Sequence, residues 1–371
     1  MKSAKVAGLA CAVLMLGLAT PTAAAADRPG LGDVQRALSE LAASPEVVGA
    51  IGAVYVDGEQ AGQGSAGSRL LDGKGGRIPA DARFRVGSQT KSMTQVVLMQ
   101  LVGEGRLALD DKLSDLLPAV VEKDLVERAD EITVEQLVHH TSGIPNWYTP
   151  ELVDGFDFTT NYSPTDLIAK SRTVPRSQEP GEKFSYSNTN YYLLGLIIED
   201  LTGETVSAEF ERRIFGPLGL DDTYLPVRFP GGIKGPHGHG YFPDENGELV
   251  DVDRLNMSYG YAAGGVISTA DDLAAYHHAL AGEELLSKEL KDALNAGRVP
   301  GDPGQEPSDP RACGTYGLMK GSSYGFNAVT YKSQDAGVQF VVSTTLATSN
   351  QDPALNQLIK KAAEAVLCPD E

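Results

Sequence analysis

The stretch Phe84-Arg85-Val86-Gly87-Ser88-Gln89-Thr90-Lys91, followed by the apolar-striped run from Ser92 to Val102, decides the reading of this chain. It spells a short strand, a turn and a helix with a serine at its entrance. Met93, Val96, Val97, Leu98, Met99, Leu101 and Val102 supply the buried flank of that helix, and Gly103 and Gly105 supply its stop. Positions three apart share a helix face, so Ser88 and Lys91 bring a hydroxyl and an amine within hydrogen-bond reach. A serine hydroxyl is inert at neutral pH until a neighbour takes its proton, and a lysine can do so once burial lowers its pKa. The Ser-x-x-Lys pattern arises about once by chance in a chain of this length, so the remaining sequence must decide between an active centre and an ordinary helix start.

Upstream, Leu31, Val34, Leu38 and Leu41 recur at helical spacing, Val47 to Val56 is β-rich, and Gly62, Gly64 and Gly67 suit a second strand and a long turn. Downstream of Gly105, short helices and loops run to about residue 258. Thr133 with Gln136 makes a capping box, Ser163-Pro164 a cap with a first-turn proline, and Gly203 ends a helix that begins near Tyr191. Residues 261–280 predict a strand over Ala263 to Thr269 and then a helix capped by Thr269. Tyr324 to Lys332 and Val338 to Thr345 predict a hairpin, and Asp352-Pro353 opens a last helix striped by Leu355, Leu358, Ile359, Ala362 and Val366. The expected fold is an α/β sandwich whose antiparallel sheet is built from both chain ends, residues 27–87 and 259–371. An all-α domain, residues 88–258, is inserted between them with Ser88 at its entrance.

The chain has 371 residues, 42% hydrophobic and 22% charged, which suits a folded protein with a substantial core. Lys2 and Lys5, the apolar run Val6 to Ala19 and the alanines Ala23 to Ala26 predict a secretory signal peptide over residues 1–26, hence a secreted, extracellular protein. The net charge of -19 argues against nucleic acid as a partner, and no second apolar run is long enough to span a bilayer. A monomer is expected. Without Cys11 the processed chain keeps Cys313 and Cys368, which an oxidising compartment predicts to pair across 55 positions, worth about 4 kcal/mol by chain entropy.

Far downstream of Ser88 lies Tyr186-Ser187-Asn188. A tyrosine hydroxyl beside a lysine is a plausible proton relay for a serine, and Asn188 offers a donor and an acceptor to a substrate amide. An ordinary turn with an N-capping residue accounts for the same tripeptide. The six histidines fall in pairs, 139/140, 237/239 and 277/278, without H-E-x-x-H, and the His237-Gly238-His239 loop has no carboxylate or cysteine set around it in sequence. No metal and no cofactor is expected. Gly321-Ser322-Ser323-Tyr324-Gly325 fits a nucleophile elbow, but that device needs a helix to follow, and a hairpin follows here.

Ser-x-x-Lys and Tyr-x-Asn together resemble the penicillin-recognising serine hydrolases: class C β-lactamases, D-alanyl-D-alanine carboxypeptidases and their esterase relatives. The resemblance covers nearly all of residues 31–368. It is nearest to the secreted actinobacterial carboxypeptidase/transpeptidase branch, through Phe84 to Ser88, Tyr186 to Asn190, His140-Thr141-Ser142-Gly143-Ile144-Pro145, Gly264 to Thr269 and the cysteine pair. It implies that Ser88 is acylated, that Lys91 and Tyr186 exchange its proton, and that Asn188 holds the substrate amide. The family's third motif, [KH]-[TS]-G, falls on Met319-Lys320-Gly321-Ser322 when anchored on Gly325-Phe326, with methionine in place of the cation. Lys320, Gly321 and Ser322 are then the substrate-binding positions, Ser322 supplying a backbone oxyanion donor. Strand alternation would turn Lys320 to the other face unless a bulge intervened.

The resemblance implies a D-alanyl-D-alanine carboxypeptidase-like hydrolase acting on a small peptide, amide or ester, a peptidoglycan stem peptide among them. An esterase, β-lactamase or D-amino-acid peptidase of the same fold is the rival within enzymes. A non-catalytic binding homologue with a degenerate third motif is the rival outside them.

Overall fold

The computed structural model describes residues 30–149, 152–226, 231–300, 312–313, 315–350 and 352–370. The segment assigned to a signal peptide, with Cys11, lies outside the described residues, as does most of the Pro- and Gly-rich stretch 298–311. The strands are β1 (Val47–Val56), β2 (Glu59–Gly67), β3 (Phe84–Arg85), β4 (Tyr241–Pro243), β5 (Leu249–Asp251), β6 (Ile267–Ser268), β7 (Gly317–Ser323), β8 (Phe326–Lys332) and β9 (Val338–Leu346). The helices used below are α1 (Val34–Leu41), α2 (Thr90–Gly103), α3 (Val134–Val138), α4 (Pro164–Ser171), α5 (Asn188–Thr202), α6 (Ala270–Ala281) and α7 (Pro353–Leu367).

β1 is buried on both faces, as a strand rich in valine and small residues is when it sits inside a sheet. It pairs antiparallel with β2 and with β9, and the sheet order β2-β1-β9-β8-β7 joins the two chain ends. Alternation then divides the side chains. Ala50, Val54, Val342 and Phe340 pack with Leu38 of α1 and Ile359 of α7. Ile51, Ala53, Val341 and Ala328 face Met93 and Leu98 of α2 and Leu273 of α6. The sheet is therefore sandwiched, as expected, and the insertion packs beyond its second face.

Caps hold the inserted helices where the sequence placed them. Thr133 and Gln136 form a reciprocal box at α3, and Ser163 with Asp166 another at α4; each cap contributes about 1 kcal/mol. α5 ends at Gly203 with φ +73°. Thr269 caps α6 and Asp352 caps α7. α2 is buried almost all round, which places it at the centre of the molecule.

Two expectations need correction. Residues 241–251, expected within the helical insertion, form the β4–β5 hairpin, whose strands of three residues are too short to show a period. The strand expected over Ala263 to Thr269 is only Ile267–Ser268, paired with β3, and Tyr261–Gly264 is a helical turn. Its carbonyls are taken by side chains instead of a ladder, since Thr94 Oγ1 donates to Ala262 O at 2.7 Å and Lys91 Nζ to Ala263 O at 2.6 Å. Cys313 and Cys368 pair as expected, Cα atoms 6.3 Å apart, and tie the approach to β7 to the end of α7.

Candidate active site

Gly87–Gln89 is a 3-10 turn leading into α2. Gly87 has φ +54°, and a Cβ on it would lie 2.5 Å from the backbone nitrogen of Ser322. A Cβ on Gly321 would overlap the carbonyl oxygen of Val86 and lie 2.8 Å from the nitrogen of Ser88. Two missing side chains thus let the edge strand β7 lie on the Ser88 turn. The amides of Ser88 and Ser322 consequently belong to backbones in contact, the arrangement that can receive an oxyanion.

Lys91 Nζ lies 3.4 Å from Ser88 Oγ and donates to Asn188 Oδ1 at 2.8 Å and to Ala263 O at 2.6 Å. Burial pushes its pKa below the ordinary lysine value, with Tyr186 opposing. A neutral amine has two N–H bonds, and these two acceptors take both, which leaves the lone pair for the Ser88 hydroxyl. Tyr186 completes the group, its hydroxyl 2.8 Å from Ser88 Oγ and 3.5 Å from Asn188 Oδ1. The structure thus brings Ser88, Lys91, Tyr186 and Asn188 together.

Three supporting side chains had no assigned role in the sequence. His140, at φ +56°, stacks on Tyr186 with ring centroids 4.6 Å apart, accepts from Ser187 N on Nδ1 at 3.1 Å, and accepts from Ser185 N on its carbonyl at 2.8 Å. Asn146 Oδ1 accepts from Asn188 N at 3.1 Å and lies 3.3 Å from Asn188 Nδ2, which turns Asn188 Oδ1 towards Lys91. Buried Gln89 donates to Ala328 O at 3.1 Å and accepts from Thr330 Oγ1 at 3.1 Å and His277 Nε2 at 3.0 Å, anchoring the Ser88 turn to β8 and α6. His140 had a signal in its family-like loop. Gln89 had one too, a glutamine inside an apolar helix start, whereas Asn146 had none.

On the strand side, Met319 stands opposite Thr330 and Gly321 opposite Ala328, while Lys320 stands opposite Val329. Directly opposed residues share a face, so Met319 and Gly321 point towards α2 and Lys320 points to the α7 face. Lys320 Nζ donates there to Asn356 Oδ1 at 2.6 Å, and desolvation lowers its pKa. No bulge interrupts the β7–β8 register, so Lys320 does not replace the missing cation. A cavity of about 640 Å³ runs from Ser88, Tyr186 and Asn188 past Tyr148 and Tyr259 to Lys320, Gly321 and Ser322. Lys320 is its one charged lining residue among the described residues. Ser323 ends β7 and pairs with Phe326 across a tight turn, so strand, turn and strand surround it, not an elbow.

The histidine pairs separate. His277 is fully buried and burial pushes its pKa well below the usual histidine value. The carboxylates that the sequence did not place around His237 and His239 are supplied from the far side of the β4–β5 hairpin by Asp251 and Asp253.

Comparison with known proteins carries the assignment further. The sequence profile described as Beta-lactamase matches residues 34–364. Penicillin-binding protein 4 of Amycolatopsis lactamdurans is 34% identical over 189 residues, 51% of this chain and 48% of that protein. Matched segments span between about a third and a half of the curated relatives' own length. A D-stereospecific amidohydrolase from Streptomyces sp. superimposes with a TM-score of 0.75 at 28% identity, over 91% of this chain and 98% of that one. The D-amino acid amidase from Ochrobactrum anthropi SV3, at 24% identity and a TM-score of 0.74 over 90% and 97%, shares the fold. Since the profile runs unbroken across the Ser88 turn, the Tyr186 segment and β7, this chain belongs to the beta-lactamase family, a family of serine hydrolases.

Proposed function

We propose that this chain is an exported serine acyl hydrolase that opens amide bonds of D-configured aminoacyl or peptidyl substrates through an acyl-enzyme on Ser88. The observation that carries the reading is the placement of the Ser88 hydroxyl between Lys91 Nζ, at 3.4 Å, and Tyr186 OH, at 2.8 Å. Ser88 Oγ bonds to the substrate carbonyl carbon as its proton passes to Lys91, and the amides of Ser88 and Ser322 receive the oxyanion. Collapse breaks the C–N bond, and the leaving amine takes a proton relayed through Tyr186. Water then attacks the ester, its proton goes to the same base, and Ser88 leaves with its hydroxyl restored. Asn188, Gly321 and Ser322 line the cavity on either side of this centre and bind the substrate.

Two observations support a substrate without a free carboxylate. Met319 stands where carboxypeptidases of the family carry a cation, and the chain is similar over 91% of its length to a D-stereospecific amidohydrolase. Carboxypeptidase action on a peptide ending in D-alanine is the second reading, supported by 30% identity over 145 residues to a putative D-alanyl-D-alanine carboxypeptidase of Escherichia coli. Export is supported by the N-terminal sequence and by the disulfide.

Intact mass after incubation with a penicillin, on wild type and Ser88→Ala, tests the acyl-enzyme. An adduct or hydrolysed penicillin with wild type alone is expected. A panel of D- and L-aminoacyl amides beside an acyl-D-alanyl-D-alanine peptide then separates the two readings. Faster turnover of the D-amides supports the first, and release of D-alanine at the greater rate supports the second. No turnover and no adduct with any of them would overturn both and leave a binding protein.

A further inference from the structure

Away from the Ser88 cavity, three metal-ligand side chains converge on the loop 231–240 and the hairpin beside it. Donor atoms of His237, His239 and Asp253 all lie within 4.8 Å of one another. None of the three lines the cavity. Each histidine is backed in the way ligating imidazoles are. His237 Nδ1 donates to Gly235 O at 2.6 Å, and His239 Nδ1 to Asp251 Oδ2 at 2.8 Å. A ring whose Nδ1 carries the proton presents Nε2 as a lone pair, and such carbonyl or carboxylate backing also fixes the ring and raises its basicity.

The two innermost atoms are in an unusual relation. His237 Nε2 and Asp253 Oδ1 are 2.9 Å apart and buried, yet neither has a hydrogen bond of acceptable alignment. A lone pair facing a carboxylate at that distance is relieved either by a proton on Nε2, which makes the pair an imidazolium–carboxylate contact, or by a metal cation that both atoms ligate. The neighbouring guanidinium groups supply charge but no bond to these two atoms. Arg85 Nη2 donates to the backbone oxygen of Asp253 at 2.5 Å and Arg69 Nε to that of His237 at 3.1 Å; their positive charge lies near the pair, but neither guanidinium hydrogen-bonds His237 Nε2 or Asp253 Oδ1. Two imidazoles and a carboxylate suit a borderline divalent ion better than calcium or magnesium, which prefer oxygen ligands. Tetrahedral zinc bonds of about 2.0–2.2 Å place donors about 3.3–3.5 Å apart, so the partly exposed His239 ring, stacked parallel on His237 with centroids 5.4 Å apart, must turn to close the set.

We propose that His237, His239 and Asp253 form a three-ligand site for a zinc-class divalent ion, with Asp251 orienting His239, and that the ion clamps the 231–240 loop to the β4–β5 hairpin. The clamp bears on the strand side of the molecule, because the same loop ends at Gly240, where a Cβ would overlap the backbone of Gly325 in the β7–β8 turn. The site stands apart from the hydrolase reading and does not depend on it.

The test is calorimetric titration of Zn2+ into the chelator-treated full chain, with Co2+ absorption reporting the ligand field. One saturable equivalent per chain is expected, with tetrahedral Co2+ bands. His239→Gln and Asp253→Asn should each abolish it, and Asp251→Asn should weaken it by about 10–100-fold. Equal melting temperatures of metal-free wild type and His239→Gln check that the variant folds, which keeps the test valid if Asp253→Asn does not. Absence of saturable uptake by wild type, or uptake unchanged in His239→Gln, would overturn the site and leave a histidine–carboxylate ion pair.

Discussion

The two walls of the Ser88 cavity are built to different standards. On the helical wall every polar group near the nucleophile has a partner: Lys91 is held by Asn188 and Ala263, Asn188 by Asn146, and Tyr186 by the His140 stack. On the strand wall the backbone is kept, with Gly321 against the Ser88 turn, but the α2-facing side chain two positions before it is the uncharged Met319, and Lys320 is turned to Asn356. Bond-making groups need defined geometry and proton occupancy, so a lost partner there is costly. Recognition of the far end of a substrate can be altered without disturbing them. The contrast fits the proposed reading, in which the bond-making groups are complete and the wall that reads the far end of the substrate is altered.

The largest effect should come from the nucleophile itself. Ser88→Ala is expected to lower kcat by on the order of 10⁴–10⁶-fold and to eliminate the mass adduct; retained turnover would place the chemistry elsewhere. Tyr186→Phe keeps the His140 stack but removes the relay, and should lower kcat by about 10²–10⁴-fold with little change in KM. A change confined to KM would make Tyr186 a binding group.

In the proposed mechanism Lys91 sets the pH dependence. There its neutral form acts as the base, and burial lowers its pKa, so kcat/KM should rise with pH through an ionisation below the ordinary lysine value and fall as Lys91 regains its proton. Lys91→Ala should remove that limb along with most of the activity. A profile flat across the range would refute this assignment.

The strand wall should respond more mildly. Met319→Lys places an ammonium on the α2-facing side of β7 and should favour a carboxylate-terminated peptide over its amide by about 10–100-fold, as for a charged hydrogen bond. An unchanged preference would show that this position does not read the substrate's end. Replacing Cys313 and Cys368 by serine should cost about 2–4 kcal/mol, seen as a lower melting temperature, while Ser88 is still acylated below that temperature. Loss of acylation well below the melting temperature would mean that the staple supports the helical wall too.

What the amino-acid sequence determined by itself was local. The Ser88–Lys91 pairing at the entrance to α2, the capping boxes at Thr133 and Ser163, the Asp352-Pro353 helix start and the β8–β9 hairpin each depend on residues a few positions apart, and periodicity or cap chemistry writes them directly into the chain. The family motifs added Tyr186 and Asn188 and the register of Gly321. Even the outcome at Lys320 followed from alternation, because a strand without a bulge has only two faces to offer. What only the tertiary structure decided was which distant groups meet. Gln89 reaches Thr330 and His277, Asn146 sets the amide of Asn188, and Asp253 closes on His237 across a hairpin with no visible period. Those contacts join segments whose local sequences suit many neighbours, and only packing of the whole chain around α2 and the five-stranded sheet selects among them.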